Sequence, residues 1–245
     1  MEHNLNKGFY KDLDTNFEQA LELIERDYSH SELIELLIAG NIPEKQMASL
    51  KLECLKSIED ADILVSNLTG CDGKIREAVA LKINYLLNRN DDYINYFKDA
   101  DIFAMATIDI NGNICRLVID SVALLLKNKD FASRYIENIL QIVNDSFQEL
   151  DKFIYRDKKY VINKQLFKLY WGLEALKLFA KDLPCDILYP ILDRASKEKE
   201  YTIREQVARI VVELEPEMYS QIISPLINDS NYYVREVFSN YKYTN

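Results

Sequence analysis

One pattern recurs along this chain at intervals of 31 to 48 residues: a basic residue set beside an apolar stripe. The copies are GKIREAVALKINYLL around Arg76, NICRLVIDSVALLL around Arg116, YTIREQVARIVVELEP around Arg204 and YYVREVFSNYKY around Arg235, with a looser one, INKQLFKLYWGLEAL, around Lys164. Self-similarity at such a period is the mark of a repeat architecture, in which a unit buries its apolar face only against its neighbours. The stripes have helical spacing. From Ile203 the apolar positions are Ile203, Val207, Ile210, Val211 and Leu214, and from Cys115 they are Cys115, Ile119, Val122, Ala123 and Leu126. From Ile75 they are Ile75, Val79, Ile83 and Leu86, with Lys82 as the single mismatch, and from Val234 they are Val234, Phe238 and Tyr241. These offsets trace one face of a 3.6-residue helix.

Composition agrees with helices. Glycine and proline together supply only eleven of 245 residues, against roughly 12% in average usage, so the many turns of an all-β chain have little to be made from. No opening segment combines basic residues with an apolar run. The longest apolar runs, such as 121–126 and 208–214, fall far short of the roughly 18 residues that span a bilayer. Cys54, Cys71, Cys115 and Cys185 lie far apart with no C-x-x-C, and Cys54 and Cys115 are read on apolar helix faces; a reduced cytoplasmic protein is expected.

Shorter helices are expected before each stripe: 60–70, 91–109, 131–150, 185–196 and 217–229. Turn chemistry separates the members of a pair at Gly70–Asp72–Gly73, Asn111–Gly112–Asn113 and Asn228–Asp229–Ser230. At the amino end, 16–27 and 31–40 read as a further pair, and 42–58 repeats the stripe pattern through Met47, Leu50 and Cys54, with Glu44 at the marker position. The expectation is an all-α chain of about six antiparallel helix pairs stacked as a right-handed α-solenoid, one domain over 1–245 with 1–14 as a frayed leading segment.

TIREQVARIVVEL and YYVREVFSNY resemble the second helix of HEAT repeats, whose pattern is a turn Asp followed by Val-Arg. Asp229 stands six residues before Arg235, and Glu198 takes that place before Arg204; Asp109 lies seven before Arg116 and Asp72 four before Arg76. The unit at Lys164 has neither feature. The resemblance implies helix pairs and a habit of binding macromolecules along a concave face, and it carries no activity.

Arg76, Arg116, Arg204 and Arg235 therefore read as a structural ladder, each pairing with a turn Asp such as Asp229, rather than as a row of ligand-binding arginines. Formal charge is −10, opposing broad nucleic-acid binding. Yet residues 151–181 hold eight basic against three acidic residues, interleaved with aromatics. From that segment Lys158, Lys159, Lys164, Lys168 and Trp171 are the candidate binding patch. His3 and His30 stand in no metal or catalytic motif, positions 107–118 lack the carboxylates of a calcium loop, and no phosphate-binding glycine loop occurs. No cofactor or metal is expected.

The expected function is a non-enzymatic protein–protein interaction scaffold whose concave face receives a protein partner of basic or mixed charge. Two other readings stay open: a nucleic-acid-binding protein akin to HEAT-like alkylpurine glycosylases, which charge disfavours, and a lyase or chaperone acting on a pigment-bearing protein. The oligomeric state and the partner's identity are not legible in the sequence.

Overall fold

Most helix starts in the amino-terminal half of this chain are set by side chains that hold the first free amides. Ser29 and Asn41 each build a capping box, accepting from the backbone of Glu32 and Glu44 while those glutamates accept in return. The computed structural model describes residues 22–152 and 159–240; the segments 1–14 and 16–21 of the sequence expectations lie outside the described residues. Among the described residues there are twelve α-helices, two 3-10 turns and no strand. None of these helices is long and apolar enough to cross a membrane. They fall into two compact units, up to Ile102 and from Phe103.

In the amino-terminal unit, α1 (His30–Ala39) is followed by α2 (Ile42–Lys51), and α3 (Ile58–Ser66) by α4 (Gly73–Arg89). The pairing differs from the expected one, because Gly40 and Asn41 make 30–39 the partner of 42–51. Glu44 is a cap rather than a marker residue. The expected helix 42–58 stops at Lys51, and Cys54 lies in the extended link 52–57 rather than on a helix face. That link is held by Leu52 and Leu55, both buried, and by the Leu55 amide donating to the Tyr93 hydroxyl at 3.2 Å. Leu37, Leu64, Ile83 and Leu86 close the core, each fully buried leucine contributing about 1.5–3 kcal/mol. Asn67 ties the pairs together by donating to the Leu37 and Ile63 carbonyls.

The expected helix 91–109 is split. Asn90 caps a 3-10 turn, Asp91–Asn95, and Asp99 accepts from the Ile102 amide to begin α5 (Ala100–Thr107). The carboxy-terminal unit continues with α6 (Gly112–Leu125), α7 (Lys129–Asp151), α8 (Lys159–Lys177), α9 (Cys185–Ser196), α10 (Tyr201–Val211), α11 (Ser220–Ile227) and α12 (Tyr232–Asn240). Its core is aromatic: Phe103 meets Phe131 edge-on, Phe131 stacks on Tyr135, and Tyr135 meets Phe179 edge-on. The fully buried Tyr135 hydroxyl pairs with Thr107 Oγ1 at 2.7 Å, and burial pushes its pKa up. Helices α7 and α8 approach closely at Gly172, where a Cβ would lie 2.9 Å from Val143 Cγ2.

The buried stripe of α6 is wider than expected and shifted at its far end. Cys115, Ile119 and Val122 are buried as expected, joined by Ile114, Val118, Ser121 and Leu125, whereas Ala123 is exposed and Leu126 only partly covered. The cause is the cap: Asn111 opens α6, so Ile114 occupies the place that Ile75 holds after the Asp72 cap of α4.

Candidate functional site

Register decides what the marker residues do. Counted from the residue that opens each helix, Arg76, Arg204 and Arg235 stand fourth. Each donates through Nη1 to the carbonyl six residues back: Gly70 at 2.6 Å, Glu198 at 2.7 Å, and Asp229. A guanidinium placed there holds the turn that joins the two helices of its pair. Arg204 also forms a two-point ion pair with Asp229 in the following turn, at 2.6 and 2.9 Å. The hydrogen bonds from Arg204 hold the Asp229 carboxyl below the usual range, and the same bonds raise the Arg204 pKa.

Arg116 is not placed with the other three. The fourth residue of α6 is Cys115, whose Sγ donates to the Asp109 carbonyl six back at 3.1 Å, and burial pushes its thiol up to about 12. One residue later means about 100° around the helix. Arg116 is accordingly exposed, and its guanidinium lies 5.8 Å from the Trp171 ring. Trp171 itself is buried, in edge contact with Tyr170 and Phe167 and packed on Gly112. Its indole serves the core of the unit.

The rest of the 151–181 segment is partly neutralised from outside. Lys177 and Lys181 both reach Glu213, Lys152 pairs with Glu149, and Asp151 pairs with Arg194. Lys164 is exposed and Lys168 half-buried, and neither has an ion pair among the described residues. The side chain of Lys159 and all of Lys158 lie outside the described residues.

The amino-terminal unit holds a groove of about 900 Å³ along the 27–30 segment, the end of α2, the link at 53–56 and the second half of α4. Its sign is opposite to that of the chain. Lys51, Lys56, Lys82 and Arg89 line it against Asp27 and Glu53, a local excess of +2 in a molecule of net −10. His30, also in the wall, is bound at Nε2 to Asp60 Oδ2 at 2.8 Å. Two tyrosine rings carry the cations. Lys51 lies 5.2 Å from the Tyr28 ring and donates to the Ile24 and Arg26 carbonyls, each at 2.6 Å. Lys82 lies 4.7 Å from the Tyr85 ring, and Arg89 lies 5.3 Å from it while donating to the Tyr85 hydroxyl.

Lys82 is the unusual member. It is 8% exposed, its stem fills the stripe of α4, and its ammonium reaches the groove. Burial lowers its pKa, partly opposed by the attraction of Glu53. It has no hydrogen bond or ion pair among the described residues. In the same wall the Tyr28 hydroxyl is buried without a partner. Buried polar groups are ordinarily satisfied, so the Tyr28 hydroxyl stands out, and beside it Lys82 brings to the groove an ammonium with no protein acceptor among the described residues. The sequence signal for it was the one interruption of the α4 stripe.

No protein-family model and no curated protein matches the sequence. Among solved structures, the chain is similar to a HEAT-like repeats protein from the archaeon Thermococcus onnurineus NA1, at 12% identity over 89% of this chain and 80% of that one, with a TM-score of 0.46. It is likewise similar to an engineered protein, at 11% identity over 88% of this chain and 95% of that one, also with a TM-score of 0.46.

Proposed function

We propose that this chain is a non-enzymatic helical-repeat binding module, and that the groove along α2 and α4 receives an acidic segment of a protein partner. The observation that carries this reading is the groove's charge: four cations against two carboxylates, three of the four set on tyrosine rings, in an otherwise acidic molecule. An acidic segment gains Coulomb attraction there and apolar contact with Leu33, Leu50 and the faces of Tyr28 and Tyr85. The partner's contact segment is thus the reverse of what the net charge alone favours. Lys164 and Lys168 offer a competing cationic surface on the other unit, with a smaller set of unpaired charges.

Anisotropy of a labelled Glu/Asp-rich peptide against the full chain tests the reading. Lys56 and Arg89 are exposed and fit for reversal without loss of folding. The expected result is binding to the acidic peptide that weakens as salt rises and disappears in K56E/R89E, with helicity retained by circular dichroism. Equal binding of a neutral peptide, or an unchanged affinity in K56E/R89E, would contradict it.

A further inference from the structure

The groove's unspent donors say what kind of acidic group it is built around. An ammonium offers three N–H donors, and those of Lys82 have no acceptor among the described residues. The Tyr28 hydroxyl adds a further buried donor without a partner. Lys56 and Arg89 stand in the same wall, and the excess charge of the lining is +2. A carboxylate brings one negative charge and two oxygens. A phosphate monoester brings between about 1.5 and 2 negative charges near neutrality and three acceptor oxygens. The second group matches the excess charge of the lining and brings one oxygen for each N–H of Lys82.

Other features of the molecule carry less. The Arg204–Asp229 pair has spent its donors on its own turns. In the concavity at Phe147 and Arg194 the guanidinium is already bound to Asp151 and the Phe147 carbonyl. The unpartnered Trp171 Nε1 lines none of the concavities described above.

Resting on the acidic-segment reading, we infer that the groove recognises a phosphorylated side chain within the partner's segment, with Lys82 as the residue that meets the phosphate. The stem of the lysine is buried in the stripe of α4 and its ammonium rests 4.7 Å from the Tyr85 ring, so it is held in place before the ligand arrives. Its head opens onto the groove, where a phosphoryl oxygen can take the place of water. A glutamate side chain satisfies the groove's field but not the set of donors around Lys82.

The test compares a phosphoserine peptide, the same peptide with glutamate in place of phosphoserine, and inorganic phosphate, titrated against the full chain and K82M. Methionine keeps the stem's length and apolar contacts, so the variant is expected to fold, and its melting temperature should equal or exceed that of the parent. The expected result is that the phosphopeptide binds about tenfold more tightly than the glutamate peptide and more tightly than inorganic phosphate. In K82M both peptides should weaken, the phosphopeptide the more, so that the preference between them vanishes. Equal affinity for the two peptides would overturn the phosphate inference and leave the acidic-segment reading standing. Full preference in K82M would overturn the role of Lys82. Inorganic phosphate binding as tightly as the phosphopeptide would make this a free-anion site. Failure of both peptides would end both readings.

Discussion

The two units treat charge in opposite ways. In the carboxy-terminal unit, Arg204 is consumed by the fold: two carbonyls of its own turn and both oxygens of Asp229 take its donors. In the amino-terminal unit, Lys82 is buried along the stripe of a second helix, and its ammonium meets the Tyr85 ring with no hydrogen bond or ion pair among the described residues. The same comparison runs along the stripes. Seven residues after its first member, α10 has Ile210, α6 has Ser121, whose hydroxyl donates to Leu117, and α4 has Lys82. A position that packing elsewhere fills with an apolar or self-satisfied side chain holds an unsatisfied cation in α4. Such a residue costs stability without a ligand, which is why the groove, rather than the arginine spine, is where binding is expected.

The comparison can be broken from the satisfied side. D229A strands the Arg204 guanidinium and removes two charge-assisted bonds, so we expect a loss of about 3 kcal/mol in urea melts. A smaller loss would mean that the pair is largely solvated. The same pair sets an acid limit. Asp229 has its pKa lowered in the fold from an ordinary 3.8, so its contribution is present above that value and drains away as pH falls through the lowered one. R204M should erase this acid dependence.

It can be sharpened from the unsatisfied side. K82M removes an unpaired, mostly buried cation and should stabilise the chain by about 1 kcal/mol. Lys82 has a pKa below its ordinary 10.5, so the folded state sheds its proton first and stability should rise with pH between the lowered value and 10.5. That rise should be absent in K82M. Destabilisation by K82M would show that Lys82 is held by Glu53 and serves the fold.

The smallest effect belongs to Arg116. R116A gives up one exposed cation–π contact with Trp171, expected to cost about 0.5 kcal/mol, and should leave the acid dependence of Asp229 unchanged. A loss approaching that of D229A would place Arg116 in the spine after all.

Much of this was legible in the sequence, and the misses have physical reasons. The helical stripes could be read because an apolar face repeats at 3.6 residues whatever packs against it. Arg116 misled because Cys115 reads as an apolar stripe residue, which moves the apparent marker one place along; only the Asn111 cap fixes the count. Residues 42–58 read as one helix because apolar spacing continues through the extended link 52–57, whose leucines are buried without being helical. Trp171 drew attention as the only tryptophan beside lysines, yet it belongs to the core. The groove was hidden because its walls come from 27–30, the end of α2, the link at 53–56 and the second half of α4, and no local pattern joins them. Its one visible trace was a lysine interrupting an apolar stripe.

The central claim is that the cations of the amino-terminal groove, and not the lysines of α8, meet the partner. Backbone amide shifts of the full chain, followed while an acidic peptide is titrated in, test it most directly. The account predicts saturable shifts at Lys51, Lys56, Tyr85 and Arg89 with Lys164 and Lys168 unmoved. Shifts confined to Lys164, Lys168 and their neighbours on α8 would contradict it.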